Sequence, residues 1–395
     1  MYRVAELQKR IEADPRRADH ELEQFVKSNE FPLLEADTAL FFFWDKRSVD
    51  SIHLVHFVFG LESRQEFQRI PGTDAYYLPL ELPHAARVEY KFEVRRGGVL
   101  QWMRDPLNGR QAFDPFGSNS VCPMPGYIEP QWCRADPRAR RGHMERIRVQ
   151  SKAWGETRDV YIYLPAEYKP HKKYPLLICH DGDDYRKYAG IRKVLDNLIY
   201  RHDVAPLIVA FTSGGAGRNV EYGANPRQAQ FIVEDVIPAV TARHAINESP
   251  ETMGLMGASF GGVTSLYTAW QYPGKFGQLM LQSGSFAFTD IGRHDRGPLW
   301  DPIVKFVNQF RADPRRINLV PEPGQPHRAT RVFVSCGTFE GLIYYNRSMA
   351  PILRDAGMKV RYVEAQDGHN WINWRDRLRD GLTWLFPGHL WMYYE

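Results

Sequence analysis

Apolar residues near the start of the chain recur three and four positions apart. Val4, Leu7 and Ile11 fall on one helical face, and the spacing predicts helix over residues 3–30. Within it, Asp14 followed by Pro15 reads as a restart, with Asp as N-cap and Pro at the first helical position. From 38 the rhythm changes. "ALFFFWD", "IHLVHFVF", "YYLPLEL" and "VEYKFEV" are short aromatic or β-branched runs separated by turn residues, the pattern of a small β-sandwich over 38–115. The helical stretch 1–37 precedes it. Residues 116–142 are rich in Pro, Gly and Arg and read as a linker, with Arg138, Arg140 and Arg141 solvated.

After 143 strands and helices alternate. "RDVYIYLP", "YPLLICHDG", "PLIVAFTSG", "ETMGLMG", "FGQLMLQSG", "RVFVSCGT" and "VRYVEAQDG" are strand-like, and most are apolar throughout. Amphipathic helices between them imply a mostly parallel sheet covered on both faces, so 143–395 is expected to be an α/β domain.

Composition narrows the class. The chain has 395 residues, 43% hydrophobic and 25% charged, which suits a globular protein of more than one core. A net charge of +4 is too small to suggest nucleic acid as a partner. The start is charged throughout and no apolar run reaches about 18 residues, so neither a secretory signal nor a membrane span is expected, and a cytoplasmic address is. Cys122, Cys133, Cys179 and Cys336 form no CxxC pair, which argues against zinc; Cys179 and Cys336 lie in apolar strand-like runs and read as buried thiols, and a Cys122–Cys133 bridge is the alternative to a fully reduced chain. No cofactor motif is present: the glycines near 257–262 lack the lysine of a phosphate loop, and "SGGAGRN" at 213–219 is too irregular for a dinucleotide fingerprint. The acidic "HDGDD" at 180–184 has no companion at metal-ligand spacing.

The chemistry centres on "GLMGASFGGVTS". An apolar strand runs into it, and a helix with Val263, Leu266, Tyr267 and Trp270 on one face runs out. Ser259 therefore stands on a strand–turn–helix junction between Gly257 and Gly261, where a strained turn exposes a nucleophile. Serine needs a base. Of the histidines that follow, His294 and His327 lie in a polar insertion and His389 in the tail, whereas His369 lies between the last strand and the final helix. The acid is either Glu340, the first carboxylate after "RVFVSC", or Asp367, two residues from His369. An oxyanion hole would draw one backbone N–H from Phe260 and another from Gly182 or Asp183. Trp371, Arg218 and Arg375 are the candidates to line a pocket for an aromatic or anionic acyl group.

These stretches, with "RNVEYGANPRQAQFIVEDVIP", "GTFEGLIYYNR" and "DGHNWINWRDRL", resemble the enterochelin esterase family and its esterase D-like relatives among the α/β hydrolases. The resemblance covers most of 143–388 and implies Ser259 as nucleophile, His369 as base and Glu340 as the acid of a "GxxE" stretch; Arg218, Glu221 and Asn225 also match polar positions of its pattern. Residues 38–115, through "YKFEV" and "WMRDPLN", are similar to the early-set immunoglobulin-like domains found beside carbohydrate-active enzymes, which leaves the helical start unaccounted for. The expected activity is serine ester hydrolysis of a small-molecule ester, with a siderophore-type trilactone as the sharpest case. A feruloyl or acetyl carbohydrate esterase that uses the sandwich to hold a glycan is the alternative. A non-catalytic binding protein on a hydrolase scaffold is the reading from a different class.

Overall fold

A computed structural model describes residues 2–288, 297–318 and 329–388. The chain divides into two compact units: residues 2–128 with 337–340 and 365–370, and residues 129–336, 341–364 and 371 onward.

The first unit contains strands β1 (Leu33–Glu35), β2 (Thr38–Trp44), β3 (Ser51–His56), β4 (Arg64–Glu66), β5 (Gln68–Arg69), β6 (Ala75–Glu81), β7 (Arg87–Arg96), β8 (Val99–Met103), β9 (Gln111–Asp114) and β10 (Gly117–Pro123). They form two antiparallel sheets, β1-β2-β6-β5 and β4-β3-β7-β10-β9, with β8 beside β7. The run "ALFFFW" is apolar at every position because β2 is covered on both faces. Ala39, Phe41 and Phe43 join the inter-sheet core with Leu54, Phe92 and Val94. Leu40 and Phe42 face the other way and meet Val4, Leu7, Ile11, Leu22 and Phe25. Those residues lie on the helices Tyr2–Ala13 and Ala18–Lys27, so the helical start is a third layer of this unit. Asp14 does cap the restart, accepting from the Arg16 N–H at 3.3 Å. Two boundaries differ from expectation. The stretch read as linker contributes β10, which pairs with both β7 and β9, and the helical start shares a core with β2.

The second unit is built on one mixed sheet: β11 (His143–Ser151), β12 (Glu156–Leu164), β13 (Leu176–Cys179), β14 (Ile208–Phe211), β15 (Met253–Ala258), β16 (Gln278–Gln282), β17 (Arg331–Gly337) and β18 (Lys359–Ala365). Its spatial order is β11-β12-β14-β13-β15-β16-β17-β18. β11–β12 and β12–β14 are antiparallel, while β13–β14, β13–β15, β15–β16 and β16–β17 are parallel. β15 shows why its sequence is apolar without alternation: Met253 and Leu255 enter the core on one face, Met256 and Ala258 the core on the other. The four cysteines are buried free thiols, so the Cys122–Cys133 bridge does not form. No described helix is long and apolar enough to cross a membrane.

Candidate active site

Ser259 follows β15 directly and precedes the helix Phe260–Gln271. Its backbone sits at φ 58°, ψ −121°, a conformation that costs a non-glycine residue on the order of 1–3 kcal/mol. The surroundings impose it. The Ser259 N–H donates to the Gln282 carbonyl at 2.9 Å, and its own carbonyl accepts from Gly262 at 3.1 Å. The glycines flanking it differ in necessity. A Cβ at Gly257 would lie 2.4 Å from the Gly261 carbonyl oxygen, whereas one at Gly261 would meet only Asp181 at 3.4 Å and His180 at 3.6 Å. Ser259 is half-buried, and its hydroxyl lies 3.3 Å from that of Ser285.

His369 and Glu340 are brought together. The imidazole Nδ1 lies 2.6 Å from Glu340 Oε2. With the carboxylate ionised, Nδ1 carries the hydrogen and donates, which leaves Nε2 as the basic nitrogen. The Glu340 side chain is 1% exposed and that of His369 is 38% exposed, so the carboxylate is buried while the imidazole is accessible. The other carboxylate oxygen of Glu340 accepts the Gly337 N–H at 2.7 Å. A Cβ at Gly337 would lie 2.2 Å from the Asp367 carbonyl oxygen, so the 337–340 and 365–370 loops touch at a position that only glycine can occupy. Asp367, the rival acid, is occupied elsewhere: it accepts from Gly368 N–H and Asn370 Nδ2, both at 2.7 Å, and faces Arg87 Nη1 at 3.3 Å. Burial pushes its carboxyl up to about 6, against the lowering effect of Arg87. His369 and Glu340 belong to the first unit and Ser259 to the second. His294, His327 and His389 lie outside the described residues.

The remaining candidates divide. The Phe260 N–H, at the start of its helix, has no acceptor among the described residues. The Gly182 N–H donates to the Thr212 carbonyl at 2.8 Å, which removes it as an oxyanion donor. Asp183 donates its N–H to Ser213 Oγ at 3.3 Å, a long and weak bond. Arg218 makes a paired contact with the Asp181 carboxylate, so an anion meeting it would share it with Asp181. Arg375 is held by Glu129 at 2.9 Å and Asp376 at 2.8 Å. Trp371 is buried, edge-on to Tyr185 and Trp374 with ring centres 5.2 and 4.7 Å away. Glu221 braces Arg158 at 2.8 Å, and Asn225 caps the helix Pro226–Gln230 through the Arg227 N–H at 3.0 Å. Sequence reasoning missed Asp181 and Arg87. Their only signal was a carboxylate or guanidinium in a run otherwise suited to burial.

Residues 151–385 match the Esterase family, and the chain belongs to it. The class is therefore ester hydrolase. More particularly, the chain is similar to enterobactin esterases. The iron(III) enterobactin esterase of Dickeya dadantii is 22% identical over 363 residues, covering 82% of this chain and 80% of that protein. Among solved structures, the enterobactin esterase of Shigella flexneri crystallised in the presence of enterobactin superposes with a TM-score of 0.71 at 20% identity, covering 92% of this chain and 97% of that one. A ferulic acid esterase superposes with a TM-score of 0.51 at 18% identity, covering 62% of this chain and 98% of its own.

Proposed function

We propose that the protein is a serine carboxylic ester hydrolase of the α/β-hydrolase kind, with Ser259 as nucleophile, His369 as base and Glu340 as the acid that orients it. The observation that carries this reading is the 2.6 Å contact between His369 Nδ1 and Glu340 Oε2, in a chain whose esterase-family region also holds Ser259 in a strained strand–turn–helix junction. In the first step His369 Nε2 takes the Ser259 proton as Oγ bonds to the substrate carbonyl carbon. The oxyanion that forms is met by the Phe260 N–H. The carbon–oxygen bond to the alcohol then breaks, the alcohol leaves with the proton from His369, and an acyl-serine remains. Water, deprotonated by the same imidazole, attacks that ester and releases the acid and Ser259. Glu340 remains ionised throughout and stabilises the imidazolium.

For substrate, we propose a siderophore-type trilactone, in a cytoplasmic setting. Support comes from the two enterobactin esterases above, both similar to this chain over most of their own length. A feruloyl or carbohydrate ester is the second reading, favoured by the likeness to a ferulic acid esterase over 62% of the chain. The test is hydrolysis of a tri-catecholate trilactone, with and without iron, beside feruloyl and acetyl sugar esters, with the Ser259→Ala protein as blank. Turnover of the trilactone that the blank lacks is the expected result. An intact trilactone beside rapid feruloyl ester turnover would replace the first substrate by the second. Equal turnover by the blank would end the serine mechanism.

A further inference from the structure

Arg87 opens strand β7, yet its side chain is only 3% exposed. Its guanidinium is divided between two elements. Nη2 donates to Glu89 Oε1 at 2.8 Å on its own strand, and Glu89 is in turn held by Asn119 Nδ2 at 2.9 Å. Nη1 reaches the loop that carries His369: Asn370 Oδ1 at 3.1 Å and both oxygens of Asp367 at 3.3 Å. The Arg87 N–H also donates to the Gln366 carbonyl at 2.9 Å, so backbone and side chain grip the same loop. Asp367 passes the constraint on. Its carbonyl accepts from Phe339 N–H at 3.2 Å, one residue before Glu340, and Phe339 is buried in the inter-sheet core and accepts from the Phe59 N–H at 2.9 Å.

We infer that Arg87 is a positioning residue for ester hydrolysis: through Asp367 and Asn370 it fixes the loop on which His369 stands, and so keeps the imidazole on Glu340. This rests on the proposed roles of His369 and Glu340. Arg87 touches neither of them; it acts through the residues on either side of the base. The pairing is electrostatically sound, since a buried guanidinium between two carboxylates keeps its charge and strengthens each bond. A loop held this way keeps His369 in one place without help from substrate, and misplacement of a base by about 1 Å is enough to cost ~10²-fold in rate.

The test uses the full chain with p-nitrophenyl butyrate as probe, comparing Arg87→Gln, Arg87→Lys, Asp367→Asn and the Arg87→Gln/Asp367→Asn pair. Because loss of a buried cation can unfold a sandwich, circular dichroism and the gentler Asp367→Asn protein keep the test decisive. The expected result is a fall in kcat of roughly 10- to 100-fold in folded Arg87→Gln and Asp367→Asn, with KM within about twofold. The pair should be no worse than the poorer single variant, and Arg87→Lys should recover part of the loss. The downfield proton resonance of His369 Nδ1–H should weaken in Arg87→Gln, which a purely scaffolding role would not require. Wild-type kcat in folded Asp367→Asn, or losses that multiply in the pair, would overturn the inference. If Ser259→Ala or His369→Ala keeps full activity, the underlying triad fails instead, and the two failures are thereby told apart.

Discussion

Glu340 Oε2 lies 2.6 Å from His369 Nδ1, and it is the deeply buried carboxylate, not the nearer one in sequence, that makes this contact. Asp367 is two residues from the histidine but turns to Gly368, Asn370 and Arg87. Glu340→Gln should therefore lower kcat by about 10³- to 10⁴-fold, because the amide favours the wrong imidazole tautomer. Asp367→Asn should cost at least tenfold less than that. Steady-state kinetics on one activated ester decides it, and the reverse order would reassign the acid.

Under the proposed mechanism Ser259→Ala and His369→Ala should each cut hydrolysis by roughly 10³-fold or more, since a nucleophile without its base and a base without its nucleophile are equally useless. The double variant should be little worse than either single one. A fluorophosphonate probe should label the wild-type protein at Ser259 and leave both variants unlabelled. Losses that multiplied would mean that the two residues serve separate steps.

The parts of this site that were legible in the sequence are the local ones. The junction around Ser259 is written in consecutive residues, an apolar strand, a serine between glycines and a helix. Glu340, the proposed acid, is the first carboxylate after a strand, a rule about chain order. The parts that were not legible depend on partners far along the chain. Arg87 and Asp367 are 280 residues apart, and neither run announces a buried ion pair. Gly182 looks like an oxyanion donor until its N–H is seen on Thr212. β10 was hidden because "GSNSVCP" opens on small and polar residues that are exposed or half-buried, and only Ser120, Val121 and Cys122 are buried.

The two glycines flanking Ser259 should behave differently although the motif treats them alike. A methyl group at 257 would be driven into the Gly261 backbone at 2.4 Å, so Gly257→Ala should destabilise the fold by about 2 kcal/mol or more. At 261 the nearest atoms are 3.4 and 3.6 Å away, which is ordinary contact, and the position lies in the first turn of a helix. Gly261→Ala should therefore stay within about 1 kcal/mol of wild type. Urea unfolding of the two variants gives the comparison, and equal losses would mean that the helix start cannot accept any side chain.

The buried Asp367 carboxyl should leave a mark on stability against pH. Its folded value is raised to about 6 from an ordinary 3.8, so between those values the folded chain holds more proton at this site than the unfolded chain. This group therefore makes the fold less stable as pH rises from about 4 to about 6, and has no further effect above that window. The wild-type protein should show a more negative slope of unfolding free energy across that window than Asp367→Asn, measured by denaturant titrations at several pH values. Arg87 and Asn370 contact this carboxyl and the negative charge of Glu89 opposes its ionisation, so Arg87→Gln should move its titration higher still. Identical slopes in wild type and Asp367→Asn would mean that the carboxyl titrates normally.

Removal of residues 1–128 should lower activity on small and large esters in the same proportion. A sandwich that only offered binding surface would matter for bulky substrates alone, because remote binding energy is available only to a substrate large enough to reach it. The contacts within the first unit say otherwise. Phe339 is packed among Phe41, Phe92 and other sandwich residues, and its N–H and carbonyl are bonded to Asp367 and Phe59. Arg87 is the counter-ion of Asp367 and binds Asn370 beside His369. A chain beginning at residue 129 keeps Glu340 and His369 but loses each of these restraints, and exposes Phe339 to water. Its kcat on p-nitrophenyl acetate should fall by about 10²-fold or more, in the same proportion as on a bulky aryl ester, while far-ultraviolet circular dichroism still reports helix and sheet. Retention of small-ester activity within about threefold, with loss confined to the bulky ester, would show that the sandwich serves substrate binding and that the loops bearing Glu340 and His369 hold their shape without it.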